Sequence, residues 1–255
     1  MSRAMEKYLR PGLKGTPFCP GCGHGILMNS VLRAIDDLQL DLGKMLFVSG
    51  IGCAAWIPSP HFNADTLHTL HGRAIPFATG AKLFNPELTV MVISGDGDLA
   101  SIGGNHLIHA TRRNIDLKVI CANNMIYGMT GGQAASTTPQ GAKTATTVQG
   151  NPYRPFELCR LAEAAGATYV ARYSVTQPVA LIQSIKKALR HTGFSFIEVL
   201  SPCPTQFGRR NRADRPEEMI QDLIRRCILK GEAERLTEEE LAGKIITGEF
   251  CPCPV

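Results

Sequence analysis

Several features are missing from this chain of 255 residues, and each absence excludes something. Its first residues, MSRAMEKYLRPG, contain no apolar stretch of the kind that drives secretion, and no later run reaches the uninterrupted length a membrane span requires. A soluble, cytoplasmic chain with no membrane contact is therefore expected. The net charge of +5 is spread along the sequence. Apart from short runs such as RRNR at 209–212, no basic block is interleaved with aromatics, which argues against a nucleic-acid partner. There is no internal repeat and no low-complexity tract. What is present is 44% hydrophobic residues, enough at this length to bury a substantial core, in one large domain with an arm behind it. Nine cysteines, an odd number, suit a reducing compartment, where clustered cysteines act as ligands or as small buried hydrophobes.

The stretch FCPGCGH at 18–24 sets a problem of number. Two cysteines two residues apart chelate one side of a metal, whereas zinc or an iron–sulfur cubane normally takes four protein ligands. The remaining pair has to come from elsewhere in the chain. Apolar residues at 27, 31, 35 and 38 predict a helix over 25–40, starting just behind this motif. Short apolar runs at 44–50, 88–95, 116–123, 167–172 and 194–203 read as strands. Helical segments are expected at 105–114, 155–166 and 177–193. Strands alternating with helices predict an open, mostly parallel α/β sheet with helices on both faces. In such sheets ligands bind beyond the carboxyl ends of the strands.

The residues directly beyond those ends are chemically active. Cys53 follows the first strand, Asp96 and Asp98 the second, Asn123 and Asn124 the third, and Cys203 the last. Gly, Asp, Asn and Pro also make ordinary turns, but their joint placement at one sheet edge points to a site. Two of the ends form a pair, because Gly95-Asp96-Gly97 and Asn123-Asn124 are separated by 25 residues. Glycines allow close backbone approach to a phosphate, and helix amides favour its charge. A carboxylate beside an amide oxygen offers the hard ligands that Mg²⁺ requires. This pairing resembles the thiamine diphosphate motif, which implies Mg²⁺ held by Asp96, Asn124 and the carbonyl of Ile126.

The resemblance then narrows. FCPGCGHG, GIGC, HGRAIPFATG, GDGDLASIGGNH and NNMIYGMTGGQ, in this order, are similar to the β subunit of the 2-oxoacid:ferredoxin oxidoreductases, from about Phe18 to about Phe207. The resemblance implies one [4Fe-4S] cluster on Cys19, Cys22, Cys53 and Cys203, which completes the ligand set. It also implies cofactor contacts at His24, Ile51, Gly52, Cys53, His71, Gly95, Asp96, Gly97, Asp98, Asn124, Gly128, Met129 and Thr130. Catalytic contacts are expected from His71, Arg73, Met129 and Thr130. The strand-end rule reaches Cys53 and Cys203 independently. Ligands this far apart in sequence suit an enclosed cubane better than a zinc ribbon, whose ligands come as two close pairs.

Of the other cysteines, Cys121 in a strand and Cys159 and Cys227 on helical faces read as packing residues, and Cys251 and Cys253 as a plain tail, with metal binding as the alternative for that pair. His106 and His109 share a helix face. The polar stretch from about Asn123 to Pro155 is too long for a plain connection, and is expected to wrap the diphosphate with its far part turned to another subunit.

The implied activity is coenzyme A-dependent oxidative decarboxylation of a 2-oxoacid, with thiamine diphosphate as electron sink and the cluster passing electrons to ferredoxin. Residues 1–207 form the cofactor-binding domain, and 208–255 a helical arm and tail. No second domain remains to supply the glutamate that meets the cofactor's aminopyrimidine. The resemblance therefore implies a separate α subunit carrying the pyrimidine-binding domain, in a heterotetramer. The wording of GIGCAAWIPSP and TTPQGAKTATT is most similar to the 2-oxoglutarate members, with Trp56 near the pocket mouth. Pyruvate or branched-chain 2-oxoacids, a non-redox thiamine diphosphate decarboxylase or synthase, and a zinc-holding scaffold are the alternatives.

Overall fold

Parallel strands buried on both faces read as continuous apolar runs, because neither side chain direction meets water. The expected runs behave this way. In the computed structural model, which describes residues 3–251 apart from Lys14 and Asp214, they become β1 (Met45–Ser49), β3 (Thr89–Gly95), β4 (Lys118–Asn123), β5 (Tyr169–Ser174) and β6 (Ser195–Leu200). Between them lie β2 (Asp65–His68) and helices α1 (His24–Asp37), α2 (Ala74–Phe84), α3 (Gly104–Arg112), α4 (Leu158–Ala164) and α5 (Pro178–Arg190). After them come α6 (Pro216–Arg226), β7 (Cys227–Leu229) and β8 (Ile245–Cys251). Among the described residues no helix is long and apolar enough to cross a membrane.

The sheet order is β2-β1-β3-β4-β6-β5-β8-β7. Every pairing from β2 to β5 is parallel, and β8 runs antiparallel to β5. Alternate residues divide between two apolar layers. Phe47, Met91, Ile93, Ile120 and Ile197 pack with Leu27, Val31 and Ile35 of α1 and Leu181 and Ile185 of α5. Val48, Val90, Val92, Val119 and Phe196 pack on the other face with Ala74 and Ile75 of α2, Leu107 of α3 and Leu158 of α4. Complete burial of each larger aliphatic or aromatic side chain contributes about 1.5–3 kcal/mol, and this two-sided burial holds the strand ends in register.

Four elements differ from the expectation. β2 is a half-exposed edge strand of four residues, DTLH, too short and polar for an apolar pattern. α2 carries Pro76 in its first turn, where proline is tolerated, and Gly80 further along, so its helical spacing was hidden in a motif. The helical arm expected behind residue 207, with Cys227 on a helical face, has its main helix end at Arg226, because Cys227, Ile228 and Leu229 pair in parallel with Ile245, Ile246 and Thr247. Cys227 is thus a strand residue, not a helical one. The last segment, expected as a helical arm and tail, contributes β8 to the main sheet. Cys251 lies in that strand, with its thiol toward the Thr168 carbonyl at 3.8 Å. Cys253 lies outside the described residues.

One buried charge pair crosses the sheet. Glu198 of β6 accepts from Arg172 Nε of β5 at 2.7 Å and from Asn123 Nδ2 at 2.6 Å, with the Cys159 thiol 3.4 Å away. Removing one partner of such a pair leaves the other charge stranded. Arg172→Met is expected to lower stability by about 3–5 kcal/mol, and Arg172→Met with Glu198→Gln to recover a large part, as read by urea unfolding. Equal loss in both variants would show that the stranded carboxylate is not the cause.

Candidate functional site

β1 and β3 are neighbours whose chains leave in opposite directions, β1 toward β2 and β3 toward β4, so a crevice opens between their carboxyl ends. Beyond Gly95 the backbone forms a wide π-type turn over Gly97–Ile102 before α3 begins. Such turns are frequent at functional sites. Here Asp96 and Asp98 are both drawn beneath the crevice, each almost fully buried.

The two aspartates have different surroundings. Asp96 accepts a hydrogen bond from the Thr137 hydroxyl, and its other oxygen lies 3.4 Å from the Asn124 amide nitrogen. Burial pushes its carboxyl up to about 6, and among the described residues no cation pairs with it. Asn124 sits beside it, with Oδ1 accepting from the Ile126 amide at 3.2 Å. The turn that carries these groups is braced by Asn123, whose Oδ1 accepts from the amide of Met125, a residue held at φ +64°. Thr138 Oγ1 ties down the Met125 carbonyl at 2.7 Å. Asn123 therefore shapes the turn, and the buried Glu198 in turn holds Asn123.

The cleft above is lined by Ile51, Gly52, Cys53, His71, the run Gly95–Asp98, Asn124, Gly128, Met129, Thr130 and His24. All the expected cofactor-contact residues meet there, and so does Ile126. Of the expected catalytic residues, Arg73 stays out, exposed on the surface at the start of α2. Tyr127 and Ala54 line the same cleft without having been expected. Tyr127 stands edge-on to His71, with ring centroids 5.8 Å apart, and its hydroxyl donates to the Gly97 carbonyl at 3.1 Å. His24 is buried, with Nδ1 2.9 Å from Ser201 Oγ, and burial pushes its ring down to about 4, so it is neutral near pH 7.

A second cavity adjoins the first. Cys19, Cys22, Cys53 and Cys203 all line it, together with Phe18, Trp56 and Pro204. Cys53, Asn124 and Met129 border both cavities. A Cβ placed on Gly128 would stand 3.5 Å from Cys203 Sγ and 3.9 Å from Cys53 Sγ, so those two sulfurs face the same loop. The CPGC turn closes with the Cys22 amide on the Cys19 carbonyl at 3.0 Å, and Gly21 takes φ +79° there. Any side chain on Gly21 would also collide with Pro216 at the start of α6. Behind the turn the His24 backbone hydrogen-bonds to the Cys22 sulfur.

Burial first, then the neighbouring sulfurs, push the Cys22 thiol up to about 12 and Cys53 up to about 11. Thiolates crowded this way coexist only against compensating positive charge. Among the described residues no three His, Cys, Asp or Glu side chains converge where a single metal ion would sit. The four cysteines border one cavity, with Cys19 exposed at its edge.

The long polar stretch after Asn124 is ordered by its own bonds. Thr137 and Thr138 reach Asp96 and the Met125 carbonyl, Ser136 meets Ser101 at 2.8 Å, and Asn151 holds the Thr138 carbonyl at 2.8 Å. Thr137 was missed in the sequence because 40 residues separate it from Asp96, and its composition marks a polar loop without marking one threonine.

Comparison with known proteins agrees with this geometry. Residues 50–199 match the family described as thiamine pyrophosphate enzyme, C-terminal TPP binding domain. The 2-oxoglutarate synthase subunit KorB of Methanocaldococcus jannaschii is 51% identical over 96% of this chain and 90% of its own length. The 2-oxoacid:ferredoxin oxidoreductase subunit beta of Saccharolobus solfataricus is 46% identical over 74% of this chain and 62% of its own. A solved 2-oxoglutarate:ferredoxin oxidoreductase from Magnetococcus marinus, with 2-oxoglutarate, coenzyme A and succinyl-CoA bound, superposes with a TM-score of 0.85 at 32% identity, covering 98% of this chain and 85% of that one. Taken with the cleft at the strand ends, these likenesses mean that the chain belongs to the β subunits of the 2-oxoacid:ferredoxin oxidoreductases, on the 2-oxoglutarate side of that family.

Proposed function

We propose that the chain is the cofactor-holding subunit of a 2-oxoglutarate:ferredoxin oxidoreductase, which converts 2-oxoglutarate and coenzyme A to succinyl-CoA, carbon dioxide and two electrons for ferredoxin. The observation that carries this reading is the pair of adjoining cavities, one walled by four cysteines and the other by the GDG and NN turns, sharing Cys53, Asn124 and Met129.

The residues fit the groups they would hold. Asp96 is a buried carboxylate without a cationic partner among the described residues, and Asn124 and Ile126, which line the same cleft, would add the amide and carbonyl oxygens that a Mg²⁺ site requires. Four cysteines lining one cavity, drawn from three separate parts of the chain and with a backbone amide on one sulfur, suit a [4Fe-4S] cluster better than a zinc ribbon, whose ligands come as two close pairs. Bound thiamine diphosphate supplies an electron sink for the carbon that loses carbon dioxide, and the cluster an acceptor of single electrons. The chain's own work is to anchor and to exclude. Asp96 and Asn124 would hold the cation and with it the diphosphate end of the cofactor. His71 presents a ring to the cleft. Thr130, whose hydroxyl donates to Gln133 at 2.6 Å, and Met129 stand at the mouth.

The cleft encloses only about 70 Å³, against roughly 300–1,000 Å³ for complete cofactor sites. This chain therefore grips one end of the cofactor, and a second wall comes from an α subunit carrying the pyrimidine-binding domain. Met129 is 48% exposed at the mouth, and Val148 and Tyr153 on the far part of the polar loop are 70% and 73% exposed, apolar surface suited to that partner.

Two variants test the two cavities separately. Asp96→Ala is expected to abolish Mg²⁺-dependent thiamine diphosphate retention and to lower kcat/KM at least about 100-fold, since even outer-ligand changes reach that range. Oxidation of 2-oxoglutarate surviving that change would refute the cation assignment. Cys203→Ser is expected to remove the brown iron–sulfur absorbance and ferredoxin reduction while leaving thiamine diphosphate bound. An unchanged spectrum, or zinc in place of iron in the parent complex, would favour a non-redox enzyme. An anaerobic panel of 2-oxoacids with coenzyme A is expected to rank 2-oxoglutarate first, and a preference for pyruvate would redirect the substrate assignment.

A further inference from the structure

Asp98 was expected among the cofactor contacts, but its oxygens are already engaged inside the chain. Oδ1 accepts from the Ile51 amide at 3.2 Å, the Gly72 amide at 2.7 Å and His71 Nδ1 at 2.5 Å, and Oδ2 accepts from the Ser94 hydroxyl at 2.8 Å. A carboxylate offers about four lone-pair positions, so little acceptor capacity is left for a ligand. The four donors belong to the segments after β1 and β2 and to β3 itself. One buried side chain thus ties three strand ends together. The approach is so close that a Cβ on Gly50 would stand 2.1 Å from Oδ2, so only glycine fits there.

The same contacts decide which nitrogen of His71 donates to the carboxylate. Backbone amides can only donate, and two of them already occupy the oxygen that faces the ring. Nδ1 must therefore carry the proton in that short bond. The state of one imidazole nitrogen is set by the bond the other makes. Nε2 has no partner among the described residues, while the ring lines the cleft and is held edge-on by Tyr127.

We propose that Asp98 is a positioning residue and not a cofactor ligand: it fixes His71 with Nδ1 protonated and presents the Nε2 lone pair to the cleft as the chain's acceptor toward the bound cofactor or substrate. This rests on the functional reading above for what occupies the cleft, but not for the state of the ring.

Solid-state ¹⁵N NMR of the assembled complex, grown with ring-labelled histidine, tests it, with the His71 pair identified by its loss in His71→Gln. The parent is expected to show protonated Nδ1 and unprotonated Nε2. In Asp98→Ala that pattern is expected to be lost and kcat to fall about 10- to 100-fold, the range for partners that orient active groups. Asp98→Asn, whose amide oxygen still accepts from Nδ1, is expected to restore most of the ring signal and rate. A parent ring protonated at Nε2 overturns the proposal even if no Asp98 variant folds, and so do unchanged ring signals in Asp98→Ala. A complex that binds no thiamine diphosphate would sink the functional reading while leaving the ring measurement intact.

Discussion

Parallel pairing is the constraint from which the rest follows. Once β1, β3, β4 and β6 run the same way and bury both faces, their carboxyl ends must open on one side of the sheet. Whatever the sequence places just after those ends is then gathered there without further instruction. Cys53, Asp96, Asn124 and Cys203 are distant in the chain and neighbours in the fold for this reason. The crevice between β1 and β3 lies where sheets of this kind take their ligands.

Three acidic side chains below that crevice resolve the cost of burial in three ways. Glu198 is met by Arg172 and by the amide of Asn123. Asp98 is met by four donors from neighbouring segments. Asp96 is met only by a threonine hydroxyl and a long backbone contact, and burial raises its carboxyl. An unpaired buried carboxylate is expensive unless a cation joins it. The group left unbalanced within the chain, Asp96, lies at the cleft, and the balanced pair and hub brace its surroundings.

How much of this was legible in the sequence follows from the same physics. The five buried strands were readable because two-sided burial leaves unbroken apolar runs, and the rule of strand ends then located the site. The roles inside it were less readable. Asp96 and Asp98 look alike in GDGD, and only the fold shows that one is committed to neighbours while the other is not. Arg73 sits in the HGR motif beside His71, yet the start of α2 turns it outward. Thr137 and Ser94 act through tertiary contacts that no local pattern marks. β2 was missed because an edge strand needs no continuous apolar run, and β8 because Thr247, Gly248 and Glu249 interrupt its apolar residues.

The ends of the sheet have a consequence of their own. Its outermost members are β2, with four residues and exposed Asp65 and His68, and β7, with three. Rims so brief and partly charged give a foreign chain little backbone to latch onto. A protein whose interior strands would be adhesive if bared is thereby protected from open-ended stacking with its own copies.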